Sequence, residues 1–152
     1  MPMSFLKRAS FGAIVMIAAM SATAADKEYK LGSVWNVVMI SVEPGRGDDY
    51  LASIKGYYTT VMDAAVKERS VLSYKLLQGA RSNPQDFNFL IMIETPNWAS
   101  YDQLPDKLEA LAGKFAGSAA KAEETAKAGN ADRTKIRTVF GGKNMQEILF
   151  TK

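Results

Sequence analysis

The sequence predicts a mixed α+β fold in which an antiparallel sheet packs against helices. Three observations lead to this class. Short runs of β-branched and aromatic residues alternate with longer segments whose apolar residues recur at helical spacing. The two middle runs are joined by a short polar connection that is typical of a hairpin. The first and third runs are apolar on both faces, which indicates strands that are covered on both sides.

The start of the chain has the three-part pattern of a signal peptide. A short basic segment precedes an apolar run at residues 11–20, which is too short to cross a bilayer comfortably. Small residues follow, so we expect cleavage after Ala24 or Ala25. The expected organisation is a signal peptide over residues 1–25, which is removed, and a single α/β domain over residues 26–152. The expected location is the periplasm or the outside of the cell, without membrane attachment after cleavage.

Three elements are expected in the first half of this domain. Residues 35–42 are β-branched and aromatic and predict a strand, which ends at a Pro-Gly turn. Asp48 or Asp49 then begins a helix that should continue to about Lys67, because apolar residues recur at helical spacing. Residues 71–77 predict the second strand.

The second half predicts a third strand at residues 87–94, followed by a helical region at about residues 98–116. Pro105 lies inside that helical pattern. Because proline lacks a backbone donor, we expect Pro105 to open the main helix after a turn or kink.

The last elements are a surface helix and a final strand. The helix is expected at residues 119–128 and should end at Gly129-Asn130. Residues 134–140 are ambiguous. A turn at Gly141-Gly142 should precede the last strand, at residues 145–151.

The order of these elements is β-α-β-β-α-(α)-β, which is the split βαβ arrangement of ferredoxin-like folds. Helices would cover one face of the sheet, and the other face would remain apolar. An uncovered apolar face invites a partner, and two such sheets packed face to face would form a two-fold symmetric homodimer. The alternation leaves open which residues of the third strand would face the partner: Phe87, Phe89, Ile91 and Ile93, or Asn88, Leu90 and Met92.

The composition excludes several kinds of chemistry. The chain of 152 residues has no cysteine and no histidine, so disulfides, thiolate nucleophiles, histidine-ligated haem and Ser-His-Asp triads are excluded. Lys7 and Arg8 lie in the predicted signal peptide, and without them the basic residues nearly balance the 16 acidic residues. No basic stripe indicates nucleic-acid binding. Two pairs of acidic residues are adjacent in sequence, Asp48-Asp49 and Glu123-Glu124, and adjacent residues do not share a helix face. We therefore expect no metal site, and we expect no cofactor.

Several segments between Trp35 and Phe150 carry a family resemblance. They are the first strand ending in Glu43-Pro44-Gly45, the helix start at Asp48-Asp49-Tyr50, the Ser73-Tyr74-Lys75 strand, and the third strand before Pro96. This pattern resembles the dimeric α/β-barrel superfamily, which includes the antibiotic-biosynthesis monooxygenase-like, EthD-like and stress-responsive barrel families. Residues 71–79 are also similar to small secreted proteobacterial proteins of no assigned activity. The resemblance implies a ferredoxin-like dimeric barrel with a pocket in each protomer, where some members oxidise activated phenolic substrates without a cofactor.

Six residues are candidate ligand-binding positions. Amides are disfavoured in apolar strands and need partners when buried, which draws attention to two asparagines. A turn arginine could receive an anionic group, although such residues also simply solvate turns. The resemblance adds aromatic side chains around the pocket, which could equally be packing residues. The six candidates are Trp35, Asn36, Arg46, Tyr74, Asn88 and Trp98, and no catalytic residue is assigned.

The sequence therefore predicts an exported, soluble homodimer that binds a small, mostly apolar or aromatic ligand between its sheet and its helices. Two alternatives stay open. One is a cofactor-independent oxygenase or isomerase, which without histidine would need an Asp, Glu, Lys or Tyr of shifted pKa in the pocket. The other is a protein-interaction module that docks a different chain on the apolar sheet face.

Overall fold

A computed structural model describes residues 28–151 of the chain, so the predicted signal peptide lies outside the described residues. Four strands form one antiparallel sheet in the order β2-β3-β1-β4. The strands are β1 (Tyr29–Val42), β2 (Ser73–Gln78), β3 (Phe89–Thr95) and β4 (Arg137–Phe150). The mixed α+β class and the antiparallel sheet are confirmed, and the order of elements is compatible with the ferredoxin-like class.

Five helices connect these strands and contact one another in a single layer. Two join β1 to β2, and three join β3 to β4. They are α1 (Gly47–Ile54), α2 (Tyr57–Lys67), α3 (Trp98–Asp102), α4 (Leu104–Ala116) and α5 (Ala119–Arg133).

The single helix predicted from Asp48 to Lys67 is wrong, because the chain breaks between α1 and α2. Gly56 has a φ of +91°, which side chains with a Cβ atom rarely adopt. The Gly56 N–H donates to the Thr59 hydroxyl at 3.3 Å, and Tyr57 begins the new helix. The apolar residues keep helical spacing across the break, so periodicity alone did not reveal it.

The helix-forming role of Pro105 is confirmed, since it lies in the first turn of α4, where a missing N–H costs little. The predicted end at Gly129-Asn130 is wrong. Helix α5 continues through this pair to Arg133, and the Asn130 carbonyl accepts the Thr134 N–H at 2.9 Å. An internal glycine weakens a helix by about 1 kcal/mol but does not end it when the following residues remain helical.

The predicted turn at Gly141-Gly142 is also wrong, because β4 runs through it as one long strand. Met39 pairs with Gly141 whereas Ile40 pairs with Val139, so Phe140 is the extra residue of a β-bulge. Gly141 has a φ of +132° and accommodates this bulge. Residues 137–140 of the ambiguous stretch are therefore the first part of β4. Strand β1 likewise begins earlier than predicted, where Tyr29 pairs with Phe150.

The core lies between the sheet and the helix layer in two clusters. The first packs β1 and β3 against α1, and its buried members are Ile40, Val42, Tyr50, Ile54, Phe89 and Ile136. The second packs α2 against α4, and its buried members are Val61, Met62, Ala65, Val71, Leu104 and Leu111.

The register decides which face of β3 is covered. Ile91 pairs with Val38 and Leu76, and all three pack against the first core cluster, so Ile91 faces the helices. Because side chains alternate along a strand, Leu90 and Met92 lie on the opposite face. We call this opposite side the open face. Its apolar residues, placed by the same register, are Trp35, Val37, Met39, Leu77, Leu90, Met92 and Met145.

Candidate functional site

The structure does not bring the six predicted ligand-binding residues together in one place. Trp35 lies on the open face, where the Lys75 Nζ atom is 5.2 Å from the centroid of its ring. Asn36 lies on the other side of β1, and its Nδ2 atom donates to the Asn144 Oδ1 atom at 2.7 Å. The two asparagines face each other across the β1–β4 pair, so the unusual strand amide has a partner on the neighbouring strand.

Asn88 precedes β3 and binds the backbone of β1. Its Oδ1 atom accepts the Val42 N–H at 2.7 Å, and its Nδ2 atom donates to the Val42 carbonyl at 3.1 Å. Arg81 donates to the same carbonyl. The amide thus takes the place of a strand partner at the end of β1, which is a structural role.

The other three candidates lie apart from one another. Arg46 is paired with Asp49 at 2.5 Å, in the exposed first turn of α1. Trp98 is 43% exposed and donates from Nε1 to the Gln146 Oε1 atom at 3.0 Å. Tyr74 donates to the Asp63 carboxylate at 2.7 Å, and its ring meets that of Tyr58 edge-on.

A cavity of about 860 Å³ lies between the helix layer and the sheet. Helix α2 contributes Tyr57, Tyr58 and Val61, and Leu108 projects from α4. Ile91 of β3 supplies the sheet side. Helix α5 supplies a further wall, and the cavity is partly open to solvent. A volume of a few hundred to about 1,000 Å³ with predominantly apolar walls is the usual form of a small-molecule site.

The wall supplied by α5 consists mainly of small residues, with Glu123 and Thr125 beside them. Ala119, Ala122, Ala126 and Gly129 recur at alternating steps of three and four residues, so they share one face of the helix, and Arg133 follows on the same face. No large apolar side chain projects from this face. The space that such a side chain would fill is therefore part of the cavity.

Two arginines form one end of the cavity. Arg133 donates from Nη1 to the Ser53 carbonyl at 3.3 Å. Arg137 donates from Nη1 to the Tyr50 hydroxyl at 3.2 Å and from Nη2 to the Asn130 Oδ1 atom at 2.8 Å. Within residues 28–151, neither guanidinium forms an ion pair with a carboxylate.

Burial and the neighbouring charge of Arg137 act on Arg133. Desolvation lowers the pKa of the Arg133 guanidinium, and the nearby positive charge of Arg137 lowers it further, while Tyr50 acts in the opposite direction. The Nε atom of Arg137 is buried and has no hydrogen-bond partner in the described part of the chain. The arginine end is therefore a concentration of positive charge that is not neutralised by an acidic side chain.

Two tyrosines adjoin the cavity with unpaired hydroxyl groups. The hydroxyls of Tyr57 and Tyr58 are buried, and the described residues offer neither of them a partner. Burial raises the pKa of Tyr58 to about 12, with smaller contributions from Tyr74 and Tyr50. Tyr58 therefore stays protonated at physiological pH. Buried polar groups normally have partners, so these two hydroxyls mark an unusual region of the core.

Sequence reasoning missed most of this site. Nothing in the sequence distinguishes Tyr57 and Tyr58 from aromatic residues that pack in the core at helical spacing, and no pattern draws attention to Arg133 or Arg137. The signal that could have found the site is the stripe of small residues on α5 that ends in an arginine. A stripe of this kind indicates a helix face that is turned toward the rest of the protein but leaves space beside it, because its side chains are small.

No protein-family model matches the chain, and a search of curated proteins finds no significant match. Among residues 28–151, no helix has the length and apolar character needed to cross a membrane. Over the same residues, no three acidic side chains group closely enough to hold a metal ion. The function is therefore inferred from the geometry of the cavity and of the open face.

Proposed function

We propose that this protein is an exported small-molecule-binding protein whose ligand occupies the cavity between α2, α4, α5 and the sheet. The observation that carries the proposal is the cavity itself, with its apolar walls and a few polar groups at one end. The expected ligand is small and mostly apolar or aromatic. Tyr57 and Tyr58 offer ring faces for it, and Ala126 leaves room beside it.

The titratable groups of the cavity favour binding over proton transfer. A general base working near neutral pH needs a pKa close to that range. Burial instead moves the pKa of Tyr58 up, and the bond from Lys127 moves the pKa of Glu123 down. Both shifts lead away from neutrality. These directions weigh against Tyr58 or Glu123 as the general base of the cofactor-independent oxygenase or isomerase that the resemblance also suggested.

Native mass spectrometry of the protein purified gently from its own compartment tests the binding function. We expect a bound small molecule in addition to the chain. Ala126→Trp should remove it, because the indole would enter the cavity, whereas Ala128→Trp places the same side chain on the same helix outside the lining. Wild-type protein that carries and accepts no small molecule would contradict the proposal.

We also propose that two copies associate through the open face and form the dimeric α/β barrel of the superfamily that the sequence resembles. Trp35, Met39 and Met92 lie there outside both core clusters, and Met145 is 57% exposed. An apolar surface of this kind is typical of an interface, and a two-fold contact would place the same face on both sides.

A substitution at Ile91 would not test the interface, because this residue faces the helices and lines the cavity. Met92→Lys puts a charge on the open face and is expected to give a monomer in analytical ultracentrifugation. Phe115→Lys is the matched control, because Phe115 is exposed on α4 in the helix layer. A wild-type monomer would instead favour the alternative of an interaction module whose open face docks a different chain.

The proposal of export rests on the sequence pattern of residues 1–25, and its test is independent of the cavity. The intact mass of the protein recovered from the periplasm or the medium should correspond to a chain beginning at Ala25 or Asp26. Full-length protein that remains in the cytoplasm would contradict export and leave the binding test unaffected.

A further inference from the structure

We infer that the cavity takes an organic anion, an apolar or aromatic carboxylate whose charged group lies between Arg133 and Arg137 while its apolar body lies against Tyr57, Tyr58 and the α5 wall. This inference rests on the proposed binding function and specifies the ligand class. The observation behind it is that two arginines share one end of a largely apolar cavity without an acidic partner.

Neither arginine has an anionic partner in the described part of the chain. Burial lowers the pKa of the Arg133 guanidinium and the nearby charge of Arg137 lowers it further, so an anion beside them would be favourable. Arg137 is fixed by its bonds to Tyr50 and Asn130, and its guanidinium carbon lies 5.6 Å from the centroid of the Tyr50 ring. A carboxylate placed between the two groups would accept charge-assisted hydrogen bonds.

Gly129 contributes by leaving space for the Arg133 head group. A Cβ atom built at residue 129 would lie 2.9 Å from the Arg133 Nη1 atom. Because that contact is the far end of a flexible side chain, an alanine would displace the guanidinium rather than disrupt the helix. Glycine lowers helix stability, so its presence one turn before Arg133 fits a requirement for space at this point.

The acidic residues of the lining do not neutralise the arginine end. Glu123 is paired with Lys127 at 2.5 Å. Glu109 lies on α4, beside a second, shallower depression between α4 and α5. Neither carboxylate forms an ion pair with Arg133 or Arg137, so the charge distribution orients an anionic ligand with its carboxylate toward the two arginines.

Isothermal titration calorimetry at pH 7 with 1-naphthoate and 1-naphthamide tests the inference, because the two probes share a shape and differ in charge. We expect wild-type protein to bind 1-naphthoate at least about tenfold more tightly than 1-naphthamide, a difference of about 1.4 kcal/mol. Arg133→Gln should weaken 1-naphthoate binding by about tenfold or more and leave 1-naphthamide binding unchanged. Lys121→Gln removes the same charge from an exposed position on α5 and should change neither affinity.

Gly129→Ala provides a second variant in which Arg133 remains but is displaced. It should weaken 1-naphthoate binding while the helix gains stability, so a folding defect could not explain the loss. Equal binding of both probes, unaffected by Arg133→Gln, would overturn the anion inference and leave the binding function standing. Failure of both probes to bind wild-type protein would contradict both proposals.

Discussion

Replacing Tyr58 by phenylalanine is expected to stabilise the protein. The substitution removes a buried hydroxyl that has no hydrogen-bond partner among the described residues. Burying such a group without a partner costs about 1–3 kcal/mol. The ring remains to pack edge-on against Tyr74, at a centroid distance of 6.1 Å. We therefore expect the free energy of unfolding to rise by about 1 kcal/mol at pH 7, the lower end of the range, because Tyr58 is only partly buried.

The same substitution should change how stability depends on pH. Burial raises the pKa of Tyr58 from 10.0 to about 12. As the pH rises from 10 to 12, the unfolded chain loses this proton before the folded protein does, so the wild-type protein loses stability. Two pKa units correspond to about 2.7 kcal/mol, which is the upper limit of the further advantage of the phenylalanine variant over this range. About half of it should have developed by pH 11.

Urea unfolding followed by tryptophan fluorescence at pH 7 and pH 11 measures both effects. Tyr50→Phe is the matched control, because the Tyr50 hydroxyl accepts a hydrogen bond from Arg137 at 3.2 Å. Losing a hydrogen bond to a charged group should destabilise the control by about 1.5–3 kcal/mol. The reasoning is refuted if Tyr58→Phe lowers the free energy of unfolding at pH 7, or if its advantage over wild type does not grow between pH 7 and pH 11.

Three further substitutions test the fold. Leu111→Ala should lower the free energy of unfolding in urea by about 2–5 kcal/mol, because Leu111 is 4% exposed in the second core cluster; a loss below about 1 kcal/mol would contradict that packing. Gly56→Ala should lower the free energy of unfolding by about 1–2 kcal/mol in the same assay, since φ is +91° there. Gly79→Ala should be nearly neutral, because a Cβ atom at Gly79 would meet no other atom, and equal effects of the two substitutions would argue against the helix break. Asn88→Ala should cost about 1–3 kcal/mol in a thermal melt, because the Val42 backbone loses two hydrogen bonds; an unchanged melting temperature would argue against this anchoring role.

The sequence predicted the elements of the fold better than their ends. Apolar periodicity located all four strands and the main helices, and Pro105 was placed correctly at the start of α4. The errors cluster at glycines. Gly56 breaks a helix that the apolar pattern predicts as continuous. Gly129 lies inside a helix that it was expected to end, and Gly141 lies inside a strand where a turn was expected. A glycine permits a turn, a bulge or a regular helix, and only tertiary contacts decide which of these forms.

The candidate site was less accessible to sequence reasoning for a different physical reason. Asn36 and Asn88 were correctly recognised as amides that need partners, but both partners come from the protein itself, the Asn144 side chain and the Val42 backbone. A cavity is defined by side-chain volume that is missing. Helix α5 is rich in alanine, lysine and glutamate, and this composition is also that of an exposed surface helix.

Helix α5 packs along α4, and specific contacts fix both of its ends. Ala122 is its one buried residue, so few apolar side chains strengthen this packing. At the beginning, Gly117 adopts the left-handed conformation and the Ser118 hydroxyl accepts the Lys121 N–H at 3.2 Å. At the other end, Arg133 binds the Ser53 carbonyl of α1. Large apolar residues on the inner face would pack more extensively and stabilise the position of the helix, but they would fill the cavity. The small residues therefore keep the cavity open, and the protein is less stable as a result.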